Sequence, residues 1–143
     1  MSGAHGAKLL LDTHVWIWLM NGDDRKLGTD VVATIEDAAA KGQVYVSAIS
    51  VWEVAMLESK GRIRIFKDCL DWVRQALSAP GIHLLPLSPE VAMASCRLPG
   101  TFHGDPADRI LVASARLDDL YLVTYDERII AYGTEQYVSV LTS

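Results

Sequence analysis

Apolar and polar positions along this chain follow two periods. Lys8-Leu-Leu-Leu11 is a short unbroken apolar run, the signature of a strand buried on both faces. It turns at Asp12-Thr13 into His14–Met20, a short apolar helix that stops near Asn21-Gly22. Leu27, Val31, Ile35 and Ala38 then recur at helical spacing within Leu27–Lys41, and Gly42 ends that helix. Gln43–Val46 predicts a second strand, and Ser47 can cap a helix running to about Ser59. Gly61–Phe66 alternates weakly, as a loop or an edge strand would. Asp68–Ser78 predicts a helix broken by Pro80-Gly81, followed by a strand at Ile82–Leu85 and a helix from Ser88-Pro89 to about Arg97. Beyond the loop Pro99–Gly104, Asp105-Pro106 opens a helix through about Leu117. A strong strand at Tyr121–Thr124, a short helix at Asp126–Tyr132 and a last strand at Tyr137–Val140 complete the pattern.

Repeated strand-then-helix order with short connections predicts a parallel sheet covered by helices on both faces. At 143 residues the chain fits one domain, expected over 8–143 after a loose segment at 1–7. Half of it is hydrophobic and the mean hydropathy is +0.18, yet no apolar run approaches the ~20 residues of a membrane span. The excess suits a buried sheet plus an exposed patch for a partner. Cys69 and Cys96 lack CxxC or zinc spacing and are expected to be core thiols in a reduced, cytoplasmic protein. His5, His14, His83 and His103 are scattered, and no Gly-rich phosphate loop is present.

The chemistry lies in acids placed where carboxylates are costly. Asp12 follows the first strand, Glu53 lies inside Ala48–Leu57, Asp108 precedes Ile110-Leu-Val-Ala113, and Asp126 follows Tyr121-Leu-Val-Thr-Tyr125. Two such carboxylates ~5 Å apart would repel by roughly 3 kcal/mol at an effective dielectric near 20. A converging set therefore calls for a hard divalent cation. Asp12 and Asp126, each after a strand, fall on one rim of the sheet, where open α/β sheets bind ligands. Each acid also has a structural reading. Asp12 and Asp126 suit helix caps, Ser50-x-x-Glu53 fits a capping box, and Asp105-Pro106 is a favoured cap pair from which Asp108 stands three residues on. The net charge of −5 opposes binding of nucleic acid by overall charge. Two bound dications would bring it close to neutral, and Lys60, Arg62, Arg64 and Lys67 form a local basic segment.

Four blocks, in order across nearly the whole chain, carry a resemblance. Leu9-Leu-Leu-Asp12-Thr13-His14-Val-Trp16 resembles the opening of PIN-domain ribonucleases, especially the VapC-type toxins of bacterial toxin–antitoxin pairs. Ser47-Ala-Ile-Ser50-Val-Trp-Glu53-Val, Asp105-Pro-Ala-Asp108-Arg109-Ile-Leu-Val-Ala113 and Leu122-Val-Thr124-Tyr-Asp126 resemble the family's later motifs. The resemblance implies a three-layer α/β/α sandwich with a mostly parallel sheet of about five strands. It implies RNA hydrolysis with Mg²⁺ or Mn²⁺ held by Asp12, Glu53, Asp108 and Asp126. Asp12 and Asp108 would be direct ligands, and Glu53 would bind through water or act as general base. Asp105 would be an extra acid or only a cap, Thr13 and Thr124 would orient carboxylates, and Ser47 would do so or cap its helix. Arg109, Lys60, Arg62 and Arg64 are candidates to position RNA. The family also implies homodimers and a small antitoxin, for whose groove Trp16, Trp18, Trp52, Met56 and Leu57 are candidates. Rival readings are a metal-dependent phosphatase acting on small phosphoesters and a catalytically inactive PIN-like binding module. A phosphoacceptor receiver domain fits less well, because Asp12 stands alone after the first strand and Ile82–Leu85 ends at Pro86.

Overall fold

The computed structural model describes residues 6–142, so residues 1–5 of the expected loose segment lie outside it. Its sheet is five-stranded and wholly parallel, in the order β3-β2-β1-β4-β5. The strands are β1 (Leu9–Leu11), β2 (Val44–Ser47), β3 (Ile82–Leu85), β4 (Tyr121–Val123) and β5 (Val140–Leu141). β1 sits in the middle and pairs with two neighbours, Leu9 opposite Val44 on one side and Tyr121 on the other. A strand in that position is covered on both faces, which is why three consecutive leucines are fully buried.

The two-residue period of the strands divides the core. Leu9, Leu11, Val44, Val46 and Val123 face α1 (Thr13–Met20), α2 (Asp24–Leu27), α3 (Thr29–Ala40), α4 (Ala48–Ser59) and α5 (Cys69–Leu77). Leu10 and Leu122 face the opposite layer, built from α7 (Pro106–Leu117) and α8 (Glu127–Thr134), with α6 (Pro89–Ser95) packed against α7. The result is the three-layer sandwich expected. Gly81 lets β3 start beside the end of α3: its φ is +81°, and a Cβ there would lie 1.9 Å from the Ala39 carbonyl oxygen.

Several expectations need correction. The helix expected over Leu27–Lys41 is two, because Gly28 at φ 84° separates α2 from α3. Of the two readings for Gly61–Phe66 the loop holds: Ile63 and Ile65 tuck against the core while Arg62 and Arg64 stay exposed. The last strand begins at Val140 rather than Tyr137. Cys96 is exposed and Cys69 half-buried, so neither is a core thiol: Cys96 caps α6 just past its last buried residue, Ser95. Trp16 and Leu57, expected in a groove, are core residues, and Trp16 packs on Trp72 with ring centroids 5.1 Å apart.

The chain builds β2 and β3 on one side of β1, then crosses to build β4 and β5 on the other. That reversal opens a crevice between the carboxyl ends of β1 and β4, the usual ligand position in such sheets. The Asp12 N–H donates to the Val123 carbonyl at 2.9 Å, tying the two strand ends together at its floor.

Candidate metal centre

Asp12 leaves β1 at this crevice and is nearly buried, 9% exposed. Its two oxygens have separate partners. Oδ1 accepts the Thr13 N–H at 2.7 Å, which caps α1, and Oδ2 accepts the Thr124 hydroxyl at 2.6 Å. Burial raises the pKa of Asp12, and the Thr124 and Thr13 hydrogen bonds offset only part of that. Thr124 also accepts the Asp126 N–H at 3.0 Å, so one buried hydroxyl links the acids that follow β1 and β4. Asp126 caps α8 through Oδ1, which accepts from the N–H groups of Arg128 and Ile129.

Glu53 arrives from the second turn of α4. The Thr13 hydroxyl donates to its Oε1, and Ser50 Oγ lies 2.8 Å from Thr13 Oγ1. Since Thr13 has one hydroxyl proton and gives it to Glu53, Ser50 must be the donor in that second bond. The relay Ser50 to Thr13 to Glu53 therefore runs through two buried hydroxyls. Burial raises the Glu53 pKa, Thr13 lowers it, and the charges of Asp12 and Asp105 raise it again.

Asp108 projects from the first turn of α7 and is pushed up to about 8, first by burial and then by Asp12, Asp105, Asp126 and Glu53. All four expected acids thus act on one another at one crevice. Among the described residues, ligand atoms of Asp108, Asp126 and His103 lie within 4.8 Å of one another. Crowded carboxylates of this kind suit a hard dication, which would replace their repulsion with attraction. Asp105 is exposed and caps α7, its Oδ2 accepting the Asp108 N–H at 3.0 Å. Ser47 caps α4 through the Ile49 N–H at 3.1 Å.

The structure does not bring all the expected cations to the crevice as free groups. Arg109 Nε donates to the Ser95 carbonyl at 2.8 Å, and Nη1 donates to the Phe102 and His103 carbonyls at 3.1 and 3.2 Å. Its guanidinium anchors the 102–103 loop to Ser95 through Nη1 and Nε. Lys60, Arg62 and Arg64 are exposed beyond the end of α4. Trp52, a groove candidate next to Glu53, is 57% exposed. The sequence pointed to Ser50 only as part of a capping box and to His103 only as a residue near the motif acids. The Ser50-x-x-Glu53 spacing was a usable signal for Ser50, whereas His103 is set by loop geometry alone.

A family model described as PIN domain matches residues 9–134. Ribonuclease VapC22 of Mycobacterium tuberculosis (strain ATCC 25618 / H37Rv) is 33% identical over 132 residues, covering 92% of this chain and 97% of that protein. Among solved structures, DNA-bound VapBC from Salmonella typhimurium matches with a TM-score of 0.67 at 16% identity, over 94% of this chain and 97% of that one. A toxin–antitoxin complex from Klebsiella pneumoniae matches with a TM-score of 0.61 at 21% identity, over 94% and 97%. At such identities these two structures speak for the fold.

Proposed function

The chain belongs to the PIN-domain family, and from that premise we propose that it is a ribonuclease that hydrolyses RNA phosphodiester bonds with Mg²⁺ or Mn²⁺, acting as the toxin of a toxin–antitoxin pair. The observation that carries this reading is the gathering of Asp12, Glu53, Asp108 and Asp126 at the strand-order reversal, with Asp108 raised to about 8. In this reading Asp12 and Asp108 are direct ligands, Asp126 completes the site, and Glu53 orients or deprotonates the attacking water. Thr124 and the Ser50–Thr13 relay hold those carboxylates in place. When bound, the dication supplies Lewis-acid stabilisation of phosphate charge and makes a water acidic enough to attack. The exposed Lys60, Arg62 and Arg64 hold the RNA backbone electrostatically.

The toxin role also rests on the curated relative and on neighbours that are toxin–antitoxin complexes. A small antitoxin would cover exposed apolar side chains such as Trp52, Phe66 and Leu70. None of the helices among the described residues is long and apolar enough to cross a membrane. The test is incubation of antitoxin-free protein with total RNA and with a phosphomonoester, with chelator and then with Mg²⁺ or Mn²⁺ restored. Metal-restored RNA cleavage that Asp12→Asn abolishes is expected. Cleavage by Asp12→Asn at the wild-type rate, or turnover of the phosphomonoester alone, would overturn it.

A further inference from the structure

His103 lies against the acids without being one of them. Its side chain is 17% exposed, and Nε2 sits 3.2 Å from Asp108 Oδ2. Nε2 has no aligned hydrogen-bond partner among the described residues. The other ring nitrogen is committed: Nδ1 accepts the Asp105 N–H at 3.3 Å. A nitrogen that accepts carries no proton, so the ring is neutral and its single proton is on Nε2, the nitrogen nearer Asp108. A protonated Nε2 cannot ligate a metal, but it can donate to a carboxylate that does.

The ring is also held in place. Phe102 packs on it with centroids 4.3 Å apart, and Tyr132 packs on Phe102 at 4.9 Å. Arg109 fixes the loop beneath by binding the carbonyls of residues 102 and 103. Asp105 therefore has two tasks at once, since its carboxylate caps α7 at Asp108 while its own N–H sets the His103 tautomer.

We propose that His103 is a positioning residue for the metal centre: Nε2–H, 3.2 Å from Asp108 Oδ2 but not aligned with it in the metal-free protein, swings to donate to that carboxylate when Asp108 ligates a cation, while Arg109 and Asp105 keep the imidazole beside it. The inference rests on the reading of Asp108 as a ligand. Metal ligands held by an outer hydrogen-bond donor lose about 10- to 100-fold in metal affinity when the donor is removed.

The experiment is Mn²⁺ titration of the full chain without RNA, followed by electron paramagnetic resonance of free Mn²⁺. His103→Ala is expected to weaken Mn²⁺ binding at least about tenfold. His103→Gln, whose amide N–H can reach the same point, is expected to recover most of that loss. Pulsed resonance on Mn²⁺-loaded wild-type protein is expected to show no imidazole nitrogen coupling, a readout independent of any variant's folding. Wild-type affinity in His103→Ala, failure of His103→Gln to recover a loss, or a strong imidazole coupling in the wild type would overturn the proposal. Asp108→Asn separates the two levels. If it binds Mn²⁺ like wild type, the ligand reading itself fails; if it loses binding while His103→Ala does not, only the positioning role fails.

Discussion

Replacing Asp108 with asparagine should make the metal-free protein more stable while removing its response to metal. The magnitude follows from the proton the folded state retains. In the unfolded chain Asp108 ionises near 3.8, whereas in the fold it keeps its proton to about 8. Between those values the folded state binds more protons than the unfolded state, so stability falls as pH rises and levels off above about 8. At pH 7 the gap is about three units, or about 4 kcal/mol at 1.36 kcal/mol per unit. The side chain is 14% exposed, and relaxation of the neighbouring groups reduces the effective cost to about 2 kcal/mol. Asparagine is neutral at every pH and avoids it. The lost interaction of a first-turn carboxylate with the helix N-terminus is worth under about 1 kcal/mol and does not reverse the sign. For a domain of this size the net gain corresponds to about 5 °C in Tm. The assay is thermal or urea unfolding of wild type and Asp108→Asn in chelator at pH 5, 7 and 8, then with Mn²⁺. Wild type should lose stability from pH 5 to 8, Asp108→Asn should lose less, and Mn²⁺ should stabilise wild type alone. If Asp108→Asn is the less stable protein in chelator, or wild-type stability does not fall across that range, the repulsive-cluster argument is wrong.

Three further outcomes are expected. Thr124→Val removes the donor to Asp12 and the acceptor for the Asp126 N–H, so it should cost about 1–3 kcal/mol in urea unfolding, with Thr124→Ser close to wild type. Equal stability of Thr124→Val and Thr124→Ser would show that the hydroxyl does not link the two acids. Arg109→Ala leaves three carbonyls without their donor and should cost about 2–4 kcal/mol; unchanged stability combined with weaker RNA binding would make Arg109 a phosphate contact instead of a loop anchor. Replacing Lys60, Arg62 and Arg64 together with glutamine should lower the salt slope of RNA binding by about 2 for a single strand and raise KM with kcat unchanged. An unaltered slope would take the RNA path elsewhere on the surface.

Much of the frame was legible because it depends on local period. The Leu9–Leu11 run, the caps Ser47, Ser88 and Asp105, and the strands Ile82–Leu85 and Tyr121–Val123 all follow from short-range pattern. Gly28 escaped notice because a residue at positive φ can interrupt a helix without disturbing its apolar spacing. Trp16 and Leu57 were misplaced in a groove for a related reason: helical spacing gives the face a residue occupies but not which faces another element will cover.

By itself the sequence determined which acids leave the carboxyl ends of strands, since β1 and β4 end one and three residues before Asp12 and Asp126. It also determined that their neighbours are apolar, and hence that their charge needs compensation. Only the tertiary structure decided how those acids are held. Thr124 reaches Asp12 across 112 residues and Thr13 reaches Glu53 across 40. The Arg109 guanidinium is spent on loop carbonyls, and His103 is brought against Asp108. Periodicity fixes elements because it acts within a few residues, whereas hydrogen-bond direction depends on how elements far apart in the chain pack together.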